Sequence, residues 1–123
     1  MLAYTTIGTN DLPRAAVFYD QLLSLVGAKR FMENEQFIAW GSSQDGAGLG
    51  VTKPFDGQAA TVGNGVMVAL GADSRDTVDR LYAKALELGG SDEGRPGLRF
   101  EGFYAAYFRD LDGNKLNVCY MGP

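Results

Sequence analysis

Hydrophobic and polar positions in this chain run in two periods, and the switches between them mark the elements. Residues 2–7 close on the run Thr5-Thr6-Ile7, which predicts a strand stopped by Gly8-Thr9-Asn10. Asn10 or Asp11 then caps a helix, with Pro13 in its first turn, where a missing N–H leaves no bond unmade. Leu12, Ala16, Tyr19, Leu23 and Val26 recur at helical spacing, and Gly27 ends the element. Three strands follow at about 28–32, 36–41 and 47–53, separated by the polar turns Glu33-Asn34-Glu35 and Ser42-Ser43-Gln44-Asp45-Gly46.

The same order then recurs. Residues 55–64 are rich in Gly, Gln, Ala, Thr and Asn, carry no period, and read as a connection. A strand at 66–70 leads to a helix capped by Asp73 or Ser74 and carrying Val78, Leu81, Tyr82, Ala85 and Leu88, which Gly89-Gly90 stops. A Gly- and Pro-containing stretch at 91–98 and a short strand near 98–100 precede a hairpin over 102–120. Its strands, 103–109 and 115–120, flank Asp112-Gly113-Asn114, and Asp-Gly between apolar runs is a strong hairpin signal. Moving the chain along itself by 63 positions lays Gly8 on Gly71, Tyr19 on Tyr82, Leu23 on Leu86, Leu25 on Leu88 and Gly27 on Gly90, every pair identical. The prediction is an α+β fold over 1–123: two βαβββ modules in tandem, about 1–54 and 65–123, forming a curled mixed sheet around a cleft.

Composition narrows what such a cleft holds. With 46% hydrophobic and 21% charged residues the chain reads as a folded domain, and its apolar stretches fall well short of the roughly 20 residues that span a bilayer. The start Met-Leu-Ala-Tyr-Thr-Thr has no basic segment ahead of an apolar one, so the expected location is the cytoplasm. Fifteen acidic against eleven basic residues, net −4, oppose a nucleic-acid or anionic-membrane partner. The single cysteine, Cys119, excludes an intrachain disulfide. The chain has no histidine, so a site must work through Asp, Glu, Lys, Tyr, Cys or no titrating group.

Ile7-Gly-Thr-Asn-Asp-Leu12 followed by Phe18-Tyr19, Leu88-Gly-Gly90 after the second helix, and Tyr104-Ala-Ala-Tyr-Phe-Arg-Asp-Leu-Asp-Gly-Asn114 together resemble the vicinal oxygen chelate superfamily. That superfamily includes glyoxalase I, bleomycin-resistance proteins and extradiol dioxygenases. The resemblance covers nearly the whole chain, with Leu111 where the family commonly has proline. It implies a cleft lined by the strands, a homodimer, and in the family's enzymes a divalent metal held by one His or Glu from each of four strands. Carried onto this chain, those positions fall at Tyr4, within 50–52, at Met67 and at Asn117. None offers a good ligand, and residues 2–7, 47–53, 66–71 and 115–121 contain no Asp, Glu or His. The expectation is a member without metal or other cofactor.

Strand alternation then nominates the recognition residues. With Tyr4 and Asn117 turned to the cleft, Thr6, Lys115 and Cys119 share their faces, and Ala69 shares that of Met67. Tyr4, Thr6, Trp40, Thr52, Met67, Tyr107, Arg109, Asn117 and Cys119 form the candidate set. Each has a plainer alternative. Asn117 inside a strand is equally explained by a buried amide bonded to neighbouring backbone. Cys119 lacks an activating histidine and fits a small core hydrophobe. Lys115 after the turn fits a solvated charge. Trp40 and Phe37, with Lys53 and Phe55, make either a cleft wall with a polar handle or ordinary core. Tyr104, Ala106 and Phe108 share one face of their strand, Tyr107 and Arg109 the other, and parity leaves open which one the helix covers. An inward Arg109 is an anion clamp, an outward one an ion-pair partner. The leading expectation is binding of a small organic molecule in a metal-free cleft. The alternatives are a glyoxalase-like or glutathione-dependent lyase or isomerase, a dioxygenase-like enzyme, or a drug-sequestering resistance protein.

Overall fold

The computed structural model describes residues 1–43 and 46–123, so Gln44 and Asp45 of the second predicted turn lie outside the described residues. Its elements are β1 (Tyr4–Gly8), α1 (Leu12–Ser24), β2 (Lys29–Glu33), β3 (Phe37–Gly41), β4 (Gly48–Thr52), β5 (Val68–Gly71), α2 (Arg75–Glu87), β6 (Ser91–Phe100), β7 (Phe103–Arg109) and β8 (Lys115–Met121). The eight strands fall into two mixed sheets of four, ordered β1-β4-β3-β2 and β5-β8-β7-β6. Each sheet belongs to one of two units, Met1–Val62 and Gly63–Pro123, and each unit is a βαβββ module.

In module one, β1 runs parallel to β4, and β4, β3 and β2 form an antiparallel meander. Asp11 caps α1 by accepting from the Arg14 N–H at 3.0 Å. The register aligns Ile7, Val51 and Ile38, and beside them Leu49 and Trp40, on one face; all five are buried, and α1 packs on this sheet with Phe18, Tyr19, Leu22 and Leu23. Module two repeats the plan. Ser74 caps α2 through the Thr77 N–H, and Val78, Leu81 and Ala85 are as completely buried as Ala106, Phe108, Leu116 and Val118 of β7 and β8. Burying one such Val or Leu contributes about 1.5–3 kcal/mol, so each helix face secures its own sheet.

Three local expectations change. The predicted short strand near 98–100 is the end of a ten-residue β6 that begins at Ser91, because bulges around Asp92, Gly94 and Phe100 let the Gly- and Pro-containing stretch pair with β7. The β7–β8 connection is a five-residue loop organised by Asp110, not a tight turn on Asp112-Gly113: Asp110 Oδ1 accepts from the Asp112 and Asn114 N–H groups, each at 2.9 Å. The helix ends are also one residue out of step. Gly27 and Gly89 both have positive φ (76° and 104°), and their N–H groups bond to the carbonyls of Ser24 and Leu86, so Gly89 is the true counterpart of Gly27. The caps Asp11 and Ser74 keep the spacing of 63 read from the sequence, and the second module loses one residue after its helix.

Candidate functional site

In module one the sheet face turned away from α1 carries Tyr4 and Thr6 of β1, Phe37 and Ala39 of β3, and Gly48, Gly50 and Thr52 of β4. Glycine at 41, 48 and 50 strips this face of side chains and lets rings lie on the backbone. A Cβ on Gly41 or Gly48 would stand 3.1 and 3.0 Å from the Phe31 ring, and one on Gly50 would collide with Phe37. Tyr4 and Phe37 have ring centroids 6.2 Å apart at a tilt of 59°. Tyr4 and Phe31 are each 58% exposed although both are large and apolar. Beside them opens a cavity of about 520 Å³, walled by Tyr4, Lys29, Phe31, Ser42 and Ser43 over Gly41 and Gly48.

Of the sequence-nominated residues of this module, Tyr4 alone borders that cavity. Thr6 is exposed on the same face. The Thr52 hydroxyl is spent on the carbonyls of Gln36 and Lys53, at 3.2 and 2.9 Å. Trp40 is 1% exposed, lies on the opposite face, and donates its indole N–H to Asp20 of α1 at 2.9 Å, so it is core and not wall. Phe55 is 103% exposed and so forms no wall either. Phe31 and Lys29 were not nominated. Phe31 is the extra residue of a bulge between Arg30 and Met32, a feature of strand pairing that alternation along one strand does not reveal.

In module two the register resolves the parity question. Tyr104 donates to Asp79 of α2 at 2.6 Å, and Ala106 and Phe108 are fully buried beside it, so Tyr107 and Arg109 occupy the face away from the helix, together with Lys115, Asn117 and Cys119. Bonding to the Asp79 carboxylate, with some burial, raises the Tyr104 pKa above the usual phenol range. The Arg109 guanidinium bonds to Glu93 at 2.5 Å and to the Gly113 carbonyl at 3.0 Å, which makes it an ion-pair partner. Asn117 is 2% exposed, and its amide N–H groups go to the carbonyls of Ala106 and Val118, at 3.0 and 3.3 Å. This accounts for an asparagine within a strand and leaves Oδ1 as the atom it can offer a ligand. Burial pushes the Cys119 thiol pKa up, away from thiolate chemistry. Met67 precedes β5, whose pairing begins at Val68, and is exposed. Lys115 and Arg99 both approach the Tyr107 ring, at 5.7 and 5.2 Å from its centroid.

Tyr4, residues 50–52, Met67 and Asn117, the positions implied for a divalent metal, bring a phenol, at most a threonine hydroxyl, a thioether and an amide. This set does not fit a hard or borderline cation. Among the described residues no three or more His, Cys, Asp or Glu gather in a metal-binding group, and no helix is long and apolar enough to cross a membrane.

Residues 1–118 match the family model of the Glyoxalase/Bleomycin resistance protein/Dioxygenase superfamily. No curated protein matches the chain. Among solved structures, a glyoxalase/bleomycin resistance protein from Albidiferax ferrireducens is 35% identical, with 98% of each chain covered and a TM-score of 0.90. A hypothetical protein from S. aureus is 26% identical over 98% of this chain and 92% of its own, with a TM-score of 0.74. A lactoylglutathione lyase from Agrobacterium tumefaciens shares the fold at 20% identity, over 98% and 92% of the two chains, with a TM-score of 0.70. The two βαβββ modules and the family match over nearly the full length thus lead to one conclusion: this chain belongs to the glyoxalase/bleomycin resistance/dioxygenase superfamily.

Proposed function

We propose that the protein binds a small organic molecule, without a metal, on the sheet faces turned away from its helices. The observation that carries this reading is the cavity of about 520 Å³ in module one, where Tyr4 and Phe31 stand exposed over a floor of glycine backbone. Such a floor admits a flat apolar body between rings, while Lys29, Ser42 and Ser43 supply donors at the rim. In module one Tyr4 and Thr6 remain its recognition residues, to which Phe31 and Lys29 are added, and in module two Met67, Tyr107 and Asn117 stay candidates on the corresponding face. The described residues around the cavity bring a phenol, an amine, a guanidinium and hydroxyls, donors that suit holding a polar edge of such a molecule. The reading includes a homodimer, as the family resemblance implies, and the cytoplasmic location expected from the sequence.

The test is a thermal-shift and NMR screen of a metabolite library against the wild type and Phe31→Ala. The expected result is at least one ligand that perturbs the amides of Gly41 and Gly48 and loses about tenfold in affinity in the variant. Ligands that bind Phe31→Ala as well as the wild type would sink the reading.

A further inference from the structure

The geometry points to a charged ligand on module two: we infer that its face away from α2 holds a small organic anion, a carboxylate or a phosphate, beside Tyr107 within reach of Arg99 and Lys115. This deepens the proposed function and rests on that reading. The guanidinium of Arg99 and the ammonium of Lys115 lie 5.2 and 5.7 Å from the same Tyr107 ring centroid, so two cations approach one aromatic. Among the described residues neither forms an ion pair, whereas the neighbouring Arg109 is neutralised by Glu93. Two unneutralised like charges near one ring make a local positive potential, which an anion bound beside them lowers. They do so on a chain of net charge −4, where a local positive spot attracts what the rest of the surface repels.

Strand β6 is built to hold one of the two. Gly94 and Gly97 leave room for the guanidinium to lie along the strand: a Cβ at either position would come within 3.3 Å of an Arg99 nitrogen, and one at Gly94 within 2.9 Å of the Tyr107 ring. Arg99 Nη1 donates to the Gly97 carbonyl at 3.0 Å and Nη2 to the Arg95 carbonyl at 2.6 Å. Those bonds fix the head group with its charge intact and three of its five N–H donors unspent, which suits the two-oxygen edge of a carboxylate or phosphate. Lys115 faces the ring from β8 and adds a compact second charge. Arg109, whose clamp and ion-pair roles the sequence left open, is held by Glu93, and Arg99 and Lys115 supply the clamp instead.

Titration with benzoate and with phenyl phosphate, each against the neutral benzamide, tests this by NMR on the full chain. Either anion should shift the amides around Tyr107 and Gly94, weaken as salt is added, and lose about tenfold in affinity in Arg99→Gln and in Lys115→Gln. Arg99→Lys, which keeps the charge, should restore part of it, and thermal melts check that each variant folds. A response to phenyl phosphate alone assigns the site to phosphates, and to benzoate alone to carboxylates. Equal binding of benzamide, unchanged binding in both Gln variants, or no anion binding up to about 10 mM overturns the anion site. The module-one reading is scored separately, by Phe31→Ala and the amides of Gly41 and Gly48.

Discussion

Trp40 hands its indole N–H to the Asp20 carboxylate at 2.9 Å, and the same Oδ1 receives the Arg30 Nε–H at 2.9 Å. One carboxylate on α1 thus anchors both a buried ring of β3 and an arginine of the edge strand β2, whose guanidinium also lies 5.9 Å from the Trp40 ring centroid. Asp20→Ala leaves the indole N–H buried without a partner, and a cost of about 1–3 kcal/mol is expected in urea unfolding.

The same pair carries a pH dependence. The Arg30 hydrogen bond, with smaller help from Trp40, holds the Asp20 pKa below the ordinary carboxylate value. A carboxyl whose pKa is lower folded than unfolded contributes stability that is present above the unfolded value, near 4, and is lost as pH falls through the folded one. The stability difference between wild type and Asp20→Asn should therefore be larger at neutral pH than at about pH 3, and an equal difference at both would refute the pairing.

Gly90 and Gly27 should respond differently to alanine. At Gly90 a Cβ would sit 2.6 Å from the Arg109 carbonyl oxygen and 2.8 Å from that of Ala85, both backbone atoms with little room to give. At Gly27 nothing lies within 4 Å and only the positive φ of 76° opposes a side chain. Gly27→Ala should cost about 1 kcal/mol and Gly90→Ala about 2 kcal/mol or more, with the order, read from urea midpoints, as the decisive result.

What was legible in the sequence was what is decided locally. Caps narrowed to Asn10 or Asp11 and to Asp73 or Ser74, the helix stops and the apolar stripes of both helices depend on residues within a few positions of one another, and the structure selects Asp11 and Ser74. What was not legible depends on pairing at a distance. The bulge at Phe31 and the glycines beneath its ring are on three different strands. Whether Tyr107 faced the helix was fixed by Tyr104 reaching Asp79, 25 positions away. Trp40 looked like a cleft aromatic because alternation gives two faces without saying which one the helix covers. Arg99 fell in the short strand expected near 98–100 but was not nominated, because β6 pairs with β7 through bulges that a Gly- and Pro-containing segment hides.

The Asp110 loop offers a test of that kind of hidden organiser. Asp110 is buried; its Oδ1 accepts two backbone N–H groups and its Oδ2 accepts from Asn114 Nδ2 at 3.0 Å. Asp110→Ala removes these bonds and should destabilise by about 2–3 kcal/mol. Asp110→Asn keeps one acceptor for the backbone but sets two amide donors against each other until Asn114 turns over, so its cost should fall between wild type and alanine. Equal losses in the two variants would show that the backbone bonds contribute nothing.

Cys119 closes the set, because its environment sets both its reactivity and its pH response. The side chain is 8% exposed on β8, and burial alone raises its pKa. A thiol disfavoured as thiolate reacts slowly, so alkylation by iodoacetamide at about pH 8 should run at least tenfold slower in the native protein than in urea. The linkage follows the same direction. The neutral thiol is the form the fold accepts, so its contribution is complete below the unfolded pKa, near 8.5, and is lost as pH rises toward the higher folded value. Stability of the wild type relative to Cys119→Ala should hold constant up to about pH 8 and decline above it. Rapid native alkylation, or a difference flat to pH 10, would mean that the thiol is ionised in place, and Cys119 would then return to the list of nucleophiles.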